Sequence, residues 1–286
     1  MQFTSPLRYP GGKGRLAQFI ADVMEASDLV GEEYVEVYAG GAGVAITLLL
    51  LDYAKKIHIN DLNKSVHAFW HSVLNEPSAF CSKIRATEVT IDEWHRQRAV
   101  QFSSGPDIFD LGFSTFFLNR TNRSGILLGG VIGGKGQEGK WKIDARFNKP
   151  ELISRIEAIA SYSHRIKLYN MDAKDLIDEV IPTLPSSTFI YLDPPYRQKG
   201  AALYENNYID DDHRLIANAV QEELKNPWIV SYDNDPVIAK LYEKSTQLTF
   251  DLFYSAGTRY RGNELIVHSP SVRLPGEIVP RRTCRG

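Results

Sequence analysis

The stretch from Tyr34 to Leu74 constrains the fold more than any other. A short strand, Tyr34-Val35-Glu36-Val37, leads into the turn Tyr38-Ala39-Gly40-Gly41-Ala42-Gly43. An apolar helix follows over residues 42–51, then a second strand over 56–60 and a helix from about 63 to 74. Strand, glycine turn, helix and strand in this order predict a parallel sheet with right-handed crossovers. An amphipathic helix is expected before it, over 16–25. The rhythm then breaks, because residues 75–119 read as consecutive helices. Five glycines fall between Gly129 and Gly136, and residues 126–143 are expected to form a hairpin or a mobile loop. Lys149-Pro150 should open another helix, ending near Tyr162. Strands resume at 165–169, 188–192 and 228–232, and the last two, 247–254 and 264–269, should close the sheet in antiparallel fashion. The expected architecture is an α/β domain, residues 1–74 and 162–270, interrupted by a mostly helical insertion at 75–161. The Pro- and Arg-rich residues 271–286 are expected to form a flexible tail.

The composition is that of an ordinary globular chain. Of 286 residues, 43% are hydrophobic and 24% charged, which excludes a disordered chain, a collagen and a coiled-coil rod. The most apolar run, Val44 to Leu51, is far shorter than the ~20 residues of a bilayer span. Met1 to Pro6 shows no basic segment followed by an apolar one, so the cytoplasm is the expected compartment. Cys81 and Cys284 cannot build a disulfide framework or a zinc knuckle. The net charge of −2 hides an asymmetry. Residues 119–149 hold seven basic side chains against two acidic, whereas 204–235 hold eight acidic against two basic. Such a pattern fits either one anion-facing surface or a solvated basic loop.

Three segments carry chemistry. Tyr191-Leu192-Asp193-Pro194-Pro195-Tyr196 ends an apolar strand, where α/β folds bind ligands. Two prolines keep the backbone extended and leave the Pro194 carbonyl without a local donor. Asp193 and that carbonyl can accept both hydrogens of an exocyclic amine, while Tyr196 stacks on the ring bearing it. The plainer reading is a Pro turn with a capping Asp. The turn after the first strand brings backbone N–H groups close to a ligand, although any tight turn here needs glycines. Its spacing matches neither GxGxxG nor GxxxxGK[ST], so a standard dinucleotide site and a P-loop are not supported. Asp61, in Ile59-Asn60-Asp61-Leu62-Asn63, stands where a carboxylate reaches a ribose diol, or where it caps the next helix. Finally, Arg8-Tyr9-Pro10-Gly11-Gly12-Lys13 offers a lysine after a tight turn, suited to a carboxylate or phosphate or to plain solvent.

In this order, Pro-Gly-Gly-Lys, the glycine turn and Asp-Pro-Pro-Tyr resemble the Dam-type (alpha-class, DPPY) adenine-N6-specific DNA methyltransferases. The resemblance runs from about residue 5 to residue 269. Phe117-Leu118-Asn119-Arg120-Thr121-Asn122-Arg123-Ser124-Gly125 is similar to the family's Asn-Arg…Asn-Gly segment, and Arg146-Phe147-Asn148-Lys149-Pro150 to its Phe-Asn-x-Pro segment. Tyr38-Ala39 departs from the usual Phe or Pro before the glycines, and Thr121-Asn122-Arg123 replaces a more aromatic stretch. The resemblance implies a Rossmann-like methyltransferase sheet, an inserted helical target-recognition domain and S-adenosylmethionine as cofactor. It implies that Tyr9 and Lys13 lie near the cofactor, that Tyr38, Ala39, Gly40 and Gly41 form the turn beneath it, and that Asp61 binds its ribose. It further implies that Asp172 contacts the cofactor's adenine, the alternative being a helix cap. Asp193, Pro194 and Tyr196 would be the catalytic set, with Asp193 also beside the cofactor, acting on an adenine extruded from double-stranded DNA.

The chemistry expected is direct methyl transfer. Hydrogen bonds to Asp193 and the Pro194 carbonyl would localise the lone pair of N6 toward the methylsulfonium, with no covalent enzyme intermediate. No metal is expected, since His67 and His71 share a helix face without a third ligand. For DNA contact the candidates are Arg120, Asn122 and Arg123, with Lys135, Lys140 and Lys142 on phosphates and Arg259 and Arg261 in a second basic loop. The loop 197–208 is placed to close over the extruded base. A monomer or weak dimer is expected, with no membrane association, and a cognate restriction or defence system is a candidate partner. The rival readings are an RNA or protein-glutamine methyltransferase and a catalytically silent nucleic-acid-binding module. Relatives acting on glutamine usually carry Asn at the position of Asp193, and a decayed module should have lost Asp61 or the Asp-Pro-Pro-Tyr.

Overall fold

The computed structural model describes residues 5–8, 16–197, 208–254 and 260–275, and the side chains of these except at 250–254 and 260–263. Seven strands form one sheet. They are β1 (Glu32–Glu36), β2 (Ala54–Asn60), β3 (Ile166–Tyr169), β4 (Phe189–Leu192), β5 (Trp228–Asp233), β6 (Thr246–Tyr254) and β7 (Tyr260–His268). Their order is β3-β2-β1-β4-β5-β7-β6. The first five are parallel, and β7 lies antiparallel between β5 and β6. The chain moves outward from β1 to β3 and then returns to β4 on the other side of β1. Successive crossovers therefore leave on opposite sides, opening a crevice at the carboxyl ends of β1 and β4.

Two helical layers cover the sheet. Tyr34, Phe189 and Tyr191 point into one buried cluster, while Val35, Ile190 and Leu192 point into the other. This alternation follows from the two-residue period of a strand. The first layer holds α1 (Leu16–Ala26), α2 (Gly43–Leu50) and α3 (Lys64–Asn75). Val44 to Leu49 of α2 are all buried, as a helix apolar all round must be. The second layer holds the short α8 (Ala173–Asp175), which runs on through a π turn (Leu176–Val180) and a 3-10 turn (Ile181–Thr183). It also contains α9 (Asp210–Asn218) and α10 (Pro236–Leu241).

The insertion consists of α4 (Pro77–Ala86), α5 (Ile91–Gln101), α6 (Ile108–Thr121) and α7 (Lys149–Ser161). Its core is continuous with the first layer. Phe69 of α3 packs on Phe80 at 5.8 Å between ring centroids, Phe80 on Phe116 at 5.6 Å, and Phe116 on Phe147 at 5.4 Å. Helices α3 and α6 meet at Gly112, where a Cβ would stand 2.5 Å from the Ala68 carbonyl oxygen. Only a glycine allows that approach.

Two expectations are corrected. Residues 126–148 contain no strand, and a single bridge, Asn122 to Val131, replaces the hairpin. Gly133, Gly134 and Gln137 all have positive φ (83°, 75° and 51°), which breaks the extended backbone that a ladder needs. The segment is instead a compact loop with Val131, Ile143 and Phe147 buried at its base. Nor is the tail free from residue 271: Val272 and Leu274 are buried, and the Arg273 N–H donates to Ser27 Oγ at 2.9 Å.

Candidate active site

The crevice begins at the glycine turn, and the turn is held from four sides. The Ala39 N–H donates to the Asn60 carbonyl at 2.8 Å, and the Gly40 N–H to Asp61 Oδ2 at 2.8 Å. Trp70 Nε1 donates to the Gly40 carbonyl at 2.9 Å, and the Ser5 hydroxyl to the Gly41 carbonyl. Gly40 and Ala42 both adopt left-handed backbone, with φ of 48° and 46°. For Ala42 that conformation stores strain of roughly 1–3 kcal/mol, and these contacts hold it in place.

The ends of β2 and β3 form one wall. Asn60 is buried and bridges three strands: its Nδ2 donates to the Val37 and Met171 carbonyls at 3.0 and 3.1 Å, and its Oδ1 accepts from the Met171 N–H at 3.0 Å. Asp61 Oδ1 accepts from the Asn63 N–H at 2.9 Å. Burial pushes its carboxyl up to about 6 despite those two N–H donors. The cap of α3 is Asn63 and not Asp61, since its side chain accepts from Ser65 and Val66. Asp172 accepts from the Lys174 N–H at 2.8 Å and caps α8.

Across the crevice, Asp193 leaves β4 half-buried, and its Oδ1 accepts from Ser231 Oγ at 3.3 Å. Ser231 is itself 2.8 Å from the Tyr191 hydroxyl. Tyr196 donates from its hydroxyl to both oxygens of the buried Glu264 of β7, at 3.0 and 3.1 Å. Burial, with Asp193 and Glu264 adding, raises the Tyr196 phenol well above its ordinary range. Glu36, buried at the end of β1, accepts from the Ala45 N–H at 2.8 Å. Burial above all, with Asp193 adding, pushes its carboxyl up to about 8. Both ends of the loop after Tyr196 are tied down. Arg197 pairs with both oxygens of Asp210 at 2.7 and 3.1 Å, and the Tyr208 and Tyr38 hydroxyls lie 2.9 Å apart.

A glycine turn, acidic strand ends and Asp-Pro-Pro-Tyr thus converge on one crevice, and comparison with known proteins decides the family. The description "D12 class N6 adenine-specific DNA methyltransferase" matches residues 9–256. The chain belongs to this D12 class. It is also 26% identical over 214 residues to the modification methylase StsI of Streptococcus sanguinis, a match that takes in 67% of this chain and 28% of that protein. The chain therefore spans less than a third of that relative's length. Among solved structures it is similar to the rRNA methyltransferase aviRa of Streptomyces viridochromogenes, with 12% identity, 91% and 86% of the two chains covered and a TM-score of 0.41. It is also similar to TrmK of M. capricolum, solved with S-adenosyl-homocysteine, with 7% identity, 85% and 66% covered and a TM-score of 0.35.

Among the described residues, Tyr38, Ala39, Gly40, Gly41, Asp61, Asp172, Asp193, Pro194 and Tyr196 all follow the carboxyl ends of β1 to β4, on the crevice side of the sheet. Tyr9, Lys13 and Arg259 lie outside the described residues, as does the side chain of Arg261 and most of the loop expected to close over the base. Arg123, Lys135, Lys140 and Lys142 are exposed. Arg120 is half-buried, and burial with Arg8, Arg155 and Arg146 nearby lowers its guanidinium to about 10. Asn122 is not a DNA contact. It is fully buried, accepts from Trp94 Nε1 at 2.7 Å and donates to the Ile126 and Leu127 carbonyls at 2.8 Å each, so its amide is satisfied within the protein. His67 and His71 line a cavity of about 370 Å³ together with His164, but no metal-holding group occurs among the described residues.

Four further residues, to which the motifs assign no role, build the site. Glu36 has a visible signal, an acid closing an apolar strand. Asn119 anchors the N-terminal segment through Oδ1 to the Arg8 N–H (2.7 Å) and Nδ2 to the Arg8 carbonyl (2.6 Å). Trp70 and Glu264 carry no local signal, since their partners lie 30 and 68 positions away.

Proposed function

We propose that this chain transfers a methyl group from S-adenosylmethionine to N6 of an adenine displaced from double-stranded DNA. The observation that carries the reading is the placement of Asp193 directly across the crevice from the glycine turn, at the point where the strand order reverses. The donor set suits the cofactor. Carboxyl groups at the ends of β2, β3 and β4 (Asp61, Asp172, Asp193) favour a ligand with hydroxyls, amines and a positive sulfonium. Asp61 would hold the ribose hydroxyls, Tyr38 to Gly41 would lie beneath the cofactor, and Tyr9 and Lys13 would complete its methionine end. When bound, S-adenosylmethionine supplies an electrophilic methyl group.

The remaining work belongs to this chain's residues. Asp193 and the Pro194 carbonyl accept the two N6 hydrogens and hold the nitrogen lone pair out of conjugation. Ser231 orients Asp193, and Glu264 orients Tyr196, whose face stacks on the adenine. Asp193 would oppose the positive charge that develops on N6 as it gains the methyl group, until the surplus N6 proton passes to solvent. Glu36 is mostly protonated near neutral pH and so adds no second full charge beside Asp193. Arg120, Arg123, Lys135, Lys140 and Lys142, with Arg259 and Arg261, would face the DNA phosphates.

The test is plasmid DNA recovered from cells expressing the wild-type protein or Asp193→Ala, read by single-molecule sequencing. Methyladenine confined to one motif and lost in the variant is expected. A folded wild-type protein that binds S-adenosylmethionine yet leaves DNA unmodified would refute the reading.

A further inference from the structure

Of the four tryptophans, Trp70, Trp94 and Trp228 are buried, whereas Trp141 is 62% exposed. Large apolar side chains such as Phe102 and Ile209 are exposed elsewhere on this chain, and a lone one is ordinary; what sets Trp141 apart is its surroundings. Trp141 sits on the crest of the compact loop 126–148, between the exposed Lys140 and Lys142. The Lys140 ammonium lies 5.8 Å from the ring centroid. Lys135, Arg123 and the half-exposed Leu128 share the same loop system, with Glu138 and Asp144 as its acids.

The crest is built rather than loose. Gln137 clamps it from within: Nε2 donates to the Ile132 and Gly134 carbonyls at 2.8 and 2.6 Å, and Oε1 accepts from the Ile143 N–H at 2.8 Å. The Lys142 ammonium donates to the Gln137 carbonyl. The backbone of Trp141 lies against Gly133, where a Cβ would come within 2.6 Å of the Trp141 carbonyl oxygen. Buried Val131, Ile143 and Phe147 root the loop in the aromatic core of the insertion. A rigid mount loses little entropy when its tip is engaged.

We propose that Trp141 is the residue this protein stacks on a DNA base opened by extrusion of the target adenine, with Lys135, Lys140 and Lys142 on the flanking phosphates. The inference rests on the DNA reading above. A flat aromatic face between cations matches a base between phosphates, and stacking tolerates any base, so Trp141 would hold the opened duplex without reading its sequence.

The test uses the full chain and a duplex containing the motif found by sequencing. Trp141→Ala should weaken binding about tenfold and slow methylation at limiting DNA. Trp141→Phe should bind nearly as the wild type, and Trp141→Leu nearly as Trp141→Ala. Lys140→Ala should lower the slope of log affinity against log salt by about 0.9, whereas Trp141→Ala should leave that slope unchanged. Calorimetry with S-adenosyl-homocysteine confirms that each variant is folded at the crevice. Wild-type affinity and methylation in Trp141→Ala, or equal behaviour of the Phe and Leu variants, would overturn the inference alone. A wild-type protein that binds the cofactor product but neither binds nor methylates DNA would overturn the substrate reading and this inference with it.

Discussion

Replacing Glu36 by Gln should make the protein more stable at alkaline pH and leave it nearly unchanged at acid pH. Glu36 is only 5% exposed, and burial raises its carboxyl from 4.5 to about 8. The folded state therefore keeps a proton that the unfolded chain releases. As pH rises through the window from about 4.5 to about 8 the unfolded state is favoured, and the loss levels off above that window. Holding a carboxyl that far above its ordinary value corresponds to roughly 5 kcal/mol at most. Between pH values of about 5.5 and 8.5, that linkage gives a loss of about 3 kcal/mol. Glutamine keeps the acceptor for the Ala45 N–H and has no proton to lose. Urea denaturation of both proteins at the two pH values, taken as a difference, removes the contributions of other groups such as Asp61. The stability gap should open by about 3 kcal/mol in favour of Glu36→Gln toward the alkaline end. A gap that stays constant with pH would refute the assignment of a buried, protonated Glu36.

Gly112→Ala should destabilise the chain by about 1–3 kcal/mol in a denaturant titration, because the methyl group meets the Ala68 carbonyl and Ser72 Oγ at 2.5 Å. Asn122→Ala removes one acceptor and two donors and strands the buried Trp94 N–H; it should lower stability by about 2–4 kcal/mol by the same assay. If Asn122 instead served DNA contact, the variant would keep its denaturation midpoint and lose only DNA affinity in a binding titration.

Strand positions and sheet direction were legible because apolar runs of four to eight residues bounded by turn signals announce themselves locally. The expected strand at 165–169 is β3 at Ile166–Tyr169, and the last two strands are antiparallel as the sequence suggested. Of the hairpin or loop expected at 126–143, a loop formed because Gly133, Gly134 and Gln137 take left-handed backbone, and a run of glycines in sequence does not say which. Asn122 failed for another reason. An Asn beside two arginines suits base reading by residue type, but Trp94 and the backbone of residues 126–127 surround its amide. Residue type announces hydrogen-bonding capacity; burial decides who uses it.

The sequence by itself determined the parallel α/β frame, the glycine turn, the Asp-Pro-Pro-Tyr segment and the placing of an insertion between them, because each is written in neighbouring residues whose backbone preferences are local. The tertiary structure decided how those pieces face one another. The reversal of strand order sets Asp193 across from the glycine turn, Trp70 and Ser5 fasten that turn, and Glu264 reaches Tyr196 from the last strand of the sheet. These hydrogen-bonded partners lie 30, 36 and 68 positions apart, so only the packing of the two helical layers on the sheet brings them within reach. The same packing sealed Asn122 inside and left Trp141 outside, a distinction between two polar-flanked residues that composition and spacing do not contain.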